Sequence, residues 1–288
     1  MYDRILVPVD GSEGAAAVLE HVGELARRVD ADVELLFVAD TARDSVTLVE
    51  GNVVDALVSE GEDVLADAAE TLAEVGVDAE TATVQGNPAP SIAEYADRYD
   101  HDLIAMATHG DSGARGLLGS VTEKVVRLAD IPVLVARLRD DERLTAPYER
   151  VLLPTDGSPR AEAAAAHGLD LAAALGASVD ALSVVEEGGV GATLRSLLSD
   201  EERDRSASEA VARVEKAGDD RDLSAVRSHV ERGNPAEVIV DAVDEYGVDA
   251  VVMGTTGEHG AEKILLGGVA ERTLRNAPVP VIVVPSEE

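Results

Sequence analysis

The sequence predicts an α/β protein built as two tandem domains, each a five-stranded parallel sheet with helices on both faces. Two observations carry this expectation. Short runs of branched apolar residues alternate with longer stretches whose apolar residues recur at helical spacing. The whole pattern then starts again halfway along the 288 residues, a length that itself suggests about two domains.

Each element can be justified in turn. Arg4 to Asp10 (RILVPVD) is an apolar strand closed by Asp10-Gly11-Ser12 and reads as buried on both faces. Ser12 or Gly11 can cap the helix that follows. Its stripe is Ala15, Val18, Leu19, Val22, Leu25, Ala26 and Val29. Val33 to Val38 is a second strand, and Val53 to Leu72 marks a longer helix. Val77 to Gln85 is a weaker strand ended by the turn Gly86-Asn87-Pro88, with Pro88 suited to a first helical turn. A helix over Ile92 to Tyr99, a strand over Leu103 to Thr108, a helix over Val121 to Leu128 and a strand over Ile131 to Ala136 complete the half.

Arg139 to Pro147 (RDDERLTAP) is charged and ends in proline, as a linker does. The pattern then repeats. Tyr148 to Leu152 echoes Tyr2 to Leu6, Asp156-Gly157-Ser158 echoes Asp10-Gly11-Ser12, and Gly233-Asn234-Pro235 echoes Gly86-Asn87-Pro88. The expected boundaries are 1–138 for the first domain, 139–147 for the linker and 148–288 for the second.

Composition bounds the function. Acidic residues number 57 against 24 basic ones, a formal charge of -33, and aromatics are scarce. An acidic chain poor in aromatics is either disordered or folded with a strongly hydrated surface. The periodic apolar stripes favour the folded reading, in a halophilic protein whose self-repulsion is screened by concentrated salt. Nucleic acid and anionic membrane are disfavoured as partners, since both call for a basic footprint. The absence of cysteine excludes disulfides and thiolate catalysis. With no signal-like opening and no membrane-length apolar run, a cytoplasmic protein is expected.

The most informative stretches follow the fourth strand of each half: Thr108 to Lys124 (THGDSGARGLLGSVTEK) and Thr255 to Arg272 (TTGEHGAEKILLGGVAER). In a parallel sheet the ligand crevice opens at the carboxyl ends of the strands, where strand order reverses. If the first and fourth strands flank that point, Asp10 meets the first loop there and Asp156 the second. Gly119-Ser120 and Gly267-Gly268 open a helix, where unpaired N–H groups favour an anion. Ser120 and Thr122 place hydroxyls in that first turn. Gly110 and Gly257 permit close backbone approach to a ligand.

Both halves resemble the universal stress protein family over nearly their full length. Its nucleotide-binding members carry G-x-x-G, nine residues, then G-[S/T] after the fourth strand. The second half reads Gly254-Thr255-Thr256-Gly257, nine residues, then Gly267-Gly268; the first reads Ala107-Thr108-His109-Gly110, eight residues, then Gly119-Ser120. The resemblance implies a Rossmann-like, adenine nucleotide alpha hydrolase-like fold and a regulatory, stress-response role with ATP or a related adenine nucleotide as ligand. It also implies that the backbone at Val38 and Val184 meets adenine, and that terminal strands pair, the two halves forming an intramolecular pseudo-dimer and the chain then able to form a homodimer. In the first half Ala107 replaces a glycine and the loop is one residue short; in the second Gly268 replaces the hydroxyl residue and Ala270 stands at the Thr122 position. Asp111 and Glu258 follow the second glycine, so a polyphosphate there either needs a bridging Mg²⁺ or binds weakly.

Other readings stay open at this stage. Asp10 and Asp156 either face the ribose or adenine or cap the next helix. His21 and His167 fit packing better than metal binding, and His109 and His259 lack partners at metal spacing. No Walker lysine or nucleophile elbow is present. With no general base evident, any hydrolysis is expected to be slow. The alternative function is a protein-interaction module that has lost nucleotide binding in one or both domains. A nucleotidyl transferase would need a further catalytic motif that the chain lacks.

Overall fold

The computed structural model describes residues 1–40, 53–108, 118–137, 144–186, 199–221, 223–255 and 266–285. The chain divides into two compact units, Tyr2–Glu142 and, apart from Met1, Arg143–Glu288.

In the first unit the elements run β1 (Arg4–Val9), α1 (Glu13–Val29), β2 (Asp32–Ala39), α2 (Val53–Glu74), β3 (Ala79–Gln85), α3 (Pro88–Arg98), β4 (Leu103–Ala107), α4 (Ser120–Leu128) and β5 (Val133–Ala136). The strand order is β3-β2-β1-β4-β5, and every pairing within the unit is parallel. Strand order therefore reverses between β1 and β4. Right-handed crossovers put α1 and α2 on one face and α3 and α4 on the other, and α1 packs on α2 and α3 on α4 accordingly.

The second unit repeats this design with β6 (Arg150–Pro154), α5 (Pro159–Leu175), β7 (Ser178–Glu186), α6 (Asp200–Gly218), β8 (Val226–Gly233), α7 (Pro235–Tyr246), β9 (Ala250–Gly254), α8 (Gly268–Asn276) and β10 (Val281–Val284). Its strand order is β8-β7-β6-β9-β10, again parallel throughout. The expected α/β architecture with parallel sheets is thus present in both halves.

The core lies where the apolar runs predict. Ile5, Leu6, Leu36, Leu103 and Ile104 are fully buried in the first unit, and Leu152, Leu153, Val251 and Val252 in the second. Burying one such side chain contributes about 1.5–3 kcal/mol. The edge strands β3 and β8 are largely exposed, which accounts for the weak apolar signal over Val77 to Gln85.

Several boundaries differ from the sequence expectation. Helix α3 begins at Pro88, not Ile92, because Asn87 adopts an extended cap conformation and proline supplies a preset first turn. Strand β5 begins at Val133, not Ile131, although the Pro132 carbonyl already accepts from the Ile104 N–H at 3.0 Å. Among the linker positions, 139–143 lie outside the described residues.

Candidate functional site

Strands β1 and β4, and β6 and β9, are neighbours in their sheets, paired through residues near their starts. The first side of each crevice is the Asp-Gly-Ser turn. Asp10 Oδ1 accepts from the Ser12 hydroxyl at 2.6 Å and from the Ser12 N–H at 3.2 Å. The Ser12 Oγ in turn accepts from the Ala15 N–H at 3.3 Å and caps α1. In the second unit Asp156 Oδ1 accepts from the Ser158 N–H at 3.0 Å, and Ser158 Oγ accepts from the Ala161 N–H at 3.2 Å. The serines are therefore the caps and the aspartates hold them in place. Between them Gly11 and Gly157 both take φ of +77°, a conformation glycine adopts without strain. Asp10 is exposed and Asp156 half-buried, each just beyond the end of its strand.

The second side is the strand-to-helix connection. Residues 109–117 and 256–265 are outside the described residues, and Gly110 and Gly257 fall there. The two ends of each connection are described and clasped. Gly119 N–H donates to the Thr108 carbonyl at 2.7 Å, and Gly267 N–H to the Thr255 carbonyl at 2.8 Å. Thr108 and Thr255 are held by the Ala136 and Val284 carbonyls of the next strand. Both helix starts have glycine at the cap position, Gly119 and Gly267, with no side chain capping the helix. Among the described residues, the first N–H groups of α4 and α8 thus have no capping side chain, the condition for anion binding at a helix start.

The two copies differ within that first turn. Ser120 is exposed, but Thr122 is buried and its hydroxyl donates to the Ala107 carbonyl at 2.8 Å. Contrary to the sequence expectation, the Thr122 hydroxyl is committed to joining the end of β4 to the start of α4 and offers no proton to a ligand. Ala270 fills the matching position without a hydroxyl. Gly268 opens α8 where Ser120 opens α4, and a Cβ built on Gly268 meets nothing within 4 Å. Ala107 and Gly254 are the last residues of β4 and β9. Val38 and Val184 lie near the ends of β2 and β7, half-buried. The structure so gathers Asp10, Ala107, Gly119 and Ser120 at the ends of adjacent strands, with Val38 one strand over. It does the same for Asp156, Gly254, Gly267 and Gly268, with Val184 one strand over.

Sequence reasoning missed a second polar feature, at the opposite ends of the strands. Asp102 Oδ2 accepts from the N–H groups of Asp3 and Arg4 at 2.7 and 2.8 Å, and Asp249 Oδ2 from those of Glu149 and Arg150 at 2.8 and 3.0 Å. Beside this tie each unit buries a carboxylate. Glu34 accepts from Arg4 at 3.2 Å, from the Tyr95 hydroxyl at 2.5 Å and lies 3.0 Å from His101 Nε2. Asp180 lies 2.8 Å from His229 Nε2, with Arg150 and Arg227 at 3.7 and 3.6 Å. Burial holds the His101 imidazole below its ordinary pKa. Burial, with help from Glu34, pushes the Tyr95 phenol up. Burial, with help from Glu231, pushes Tyr246 up to about 12. His21 is buried on α1 and His167 half-buried on α5, where burial lowers the His167 pKa. Among the described residues no helix is long and apolar enough to cross a membrane.

Comparison with known proteins places these features in context. The model of the universal stress protein family matches residues 1–137 and again 147–285. Universal stress protein MJ0531 of Methanocaldococcus jannaschii is 37% identical over 157 residues, covering 53% of this chain and 89% of that protein. Universal stress protein Rv2005c of Mycobacterium tuberculosis is 31% identical over 237 residues, covering 78% of this chain and 76% of its own. The crystal structure of a universal stress protein from Archaeoglobus fulgidus superposes with a TM-score of 0.73 at 26% identity, covering 99% of this chain and 97% of that one.

Proposed function

Because the chain belongs to the universal stress protein family in both halves, we propose that it binds ATP or a related adenine nucleotide at the strand ends of each unit, as a regulatory ligand in a stress response. One observation carries the reading. An aspartate-held turn and a helix whose cap residue is glycine follow adjacent strands, twice in one chain. The helix starts offer N–H groups and the positive end of the helix dipole to phosphate oxygens. Ser120 adds a hydroxyl in the first unit. In this reading Asp10 and Asp156 take a ribose or adenine donor, and the backbone at Val38 and Val184 meets the adenine edge. Gly110 and Gly257 belong to the same proposal through their sequence pattern.

The ligand brings its own negative charge into an acidic chain, so a divalent cation such as Mg²⁺ is expected to accompany a polyphosphate. The role is sensing, with at most slow hydrolysis. The same reading assigns the protein to the cytoplasm. It makes the apolar outer strands β5 and β10 pairing surfaces, for an intramolecular pseudo-dimer of the two halves and for a homodimer.

The test is mass spectrometry of small molecules released from protein purified in high salt, followed by calorimetric titration with ATP and Mg²⁺. A bound adenine nucleotide and saturable heat support the reading. No released nucleotide and no saturable heat would leave the alternative of an interaction module without nucleotide.

A further inference from the structure

The two candidate crevices are flanked by helices that differ in charge: both are net acidic, but only one carries basic residues. Helix α2 contains no lysine or arginine and carries acidic residues along its length, including Asp63, Asp67 and Glu70. Helix α6, its counterpart, carries Arg203, Arg205 and Arg213. Two of these arginines reach backbone at the strand ends. Arg203 donates to the carbonyl of Glu186, the last residue of β7, at 3.2 Å. Arg213 donates to the carbonyl of Gly157, one residue beyond Asp156, at 3.2 Å, and its Nε lies 2.7 Å from Glu162.

The two helices can be placed in register. Val64 packs over Gly11 and Ala210 over Gly157. The displacement that separates Val64 from Ala210 also separates Asp10 from Asp156, and Asp67 from Arg213. The first unit thus has an exposed carboxylate, Asp67, and the neutral Ala16 where the second has the ion pair of Arg213 with Glu162. Among the described residues, the Asp-Gly-Ser turn is therefore flanked by a carboxylate with no ion-pair partner in one unit and by a neutralised pair in the other.

We infer that this difference grades the two sites by phosphate charge. The second unit takes nucleoside polyphosphates, with Arg213 as a specificity-determining residue, and the first favours adenine ligands with fewer phosphates. The inference rests on the nucleotide reading above and adds which unit takes which charge class. Reversing one side-chain charge beside a polyphosphate, across roughly 10 Å of hydrated and salt-screened crevice, changes affinity by about tenfold, and concentrated salt reduces that effect further.

The experiment is titration of the full chain with adenosine, AMP and ATP, at the lowest KCl that preserves its helical circular dichroism. Wild-type protein, Arg213→Asp and Asp67→Arg are compared. The expected result is one class of site in the wild type whose affinity rises with phosphate number. Arg213→Asp should lower its ATP-to-adenosine affinity ratio about tenfold, and Asp67→Arg should raise that ratio at the other class. Asp67 is exposed on a helix, so its replacement keeps the test valid even if Arg213→Asp perturbs folding. Binding with the ratio unmoved in the folded variants would overturn the inference and leave the nucleotide reading standing. No binding of any of the three by the wild type would overturn both.

Discussion

The hydroxyl of Thr122 donates to the carbonyl of Ala107 at 2.8 Å, joining the first turn of α4 to the last residue of β4. The bond spans a loop whose ends are only these two elements, so it holds the start of α4 over the end of the sheet. Replacing Thr122 with valine keeps the volume and removes the donor that the part-buried Ala107 carbonyl accepts from. Thr122→Val is expected to destabilise the first unit by about 1–2 kcal/mol and to weaken nucleotide binding there about threefold. Thr122→Ser, which keeps the donor, should restore most of both. Urea unfolding and ATP titration of the two variants check this; equal behaviour of the valine and serine forms would contradict it.

The second unit lacks a hydroxyl at the start of α8, and there is room for one beside Gly268. Serine is also the better helix former by several tenths of a kcal/mol. Gly268→Ser should raise thermal stability slightly and tighten ATP binding by the second unit several-fold. A stability gain with unchanged affinity would show that the start of α8 does not meet phosphate.

His101 carries a prediction in pH. Its side chain is fully buried against Glu34, whose charge Arg4 already balances, so protonating the imidazole adds a net buried charge. Its pKa is lowered on folding, chiefly by burial. The unfolded chain then binds the proton more readily, and stability rises with pH where the unfolded imidazole titrates. The contribution is complete above the ordinary histidine range near 6.5 and is lost as pH falls below it. His167, also lowered by burial, acts in the same sense. Melting temperature should rise between pH 5.5 and 7.5, and the slope should diminish in His101→Val, which copies Val248 of the second unit. An unchanged slope in that variant would contradict the assignment.

Net charge of -33 predicts a strong salt dependence. Self-repulsion weakens as the Debye length shortens from about 10 Å at 0.1 M to about 3 Å at 1 M. The melting temperature should climb steeply with KCl through this range, and sulfate and chloride salts matched in ionic strength should share the initial rise. A melting temperature independent of KCl would remove the salt-adapted reading of the surface.

Much of the architecture was legible because its signals are local. The apolar strands, the amphipathic helices and the Asp-Gly-Ser turns are written in contiguous residues, and duplication lets each half check the other. At the crevice the serine caps, the glycine-started helices and the aspartates at the strand ends could all be placed from sequence. The Thr122 bond could not, because a threonine in a first helical turn can face either a ligand or the preceding strand, and only packing decides. The buried carboxylates were hidden for a different reason. Glu34 finds His101 from 67 residues away and Asp180 finds His229 from 49, and the two histidines stand on non-equivalent elements. Repeat comparison therefore conceals the shared device. Arg213 was hidden likewise, since its contact with Gly157 depends on how α6 lies against the turn.

The central claim is that both strand-end sites hold an adenine nucleotide, and stoichiometry tests it most directly. The backbone at Gly267 has φ −65° and ψ 147°, which valine also adopts, so Gly267→Val blocks close approach without straining the chain. Equilibrium dialysis of radiolabelled ATP with Mg²⁺ against the full chain should give two nucleotides per wild-type chain and one per Gly267→Val chain. No saturable binding by the wild-type chain would contradict the account.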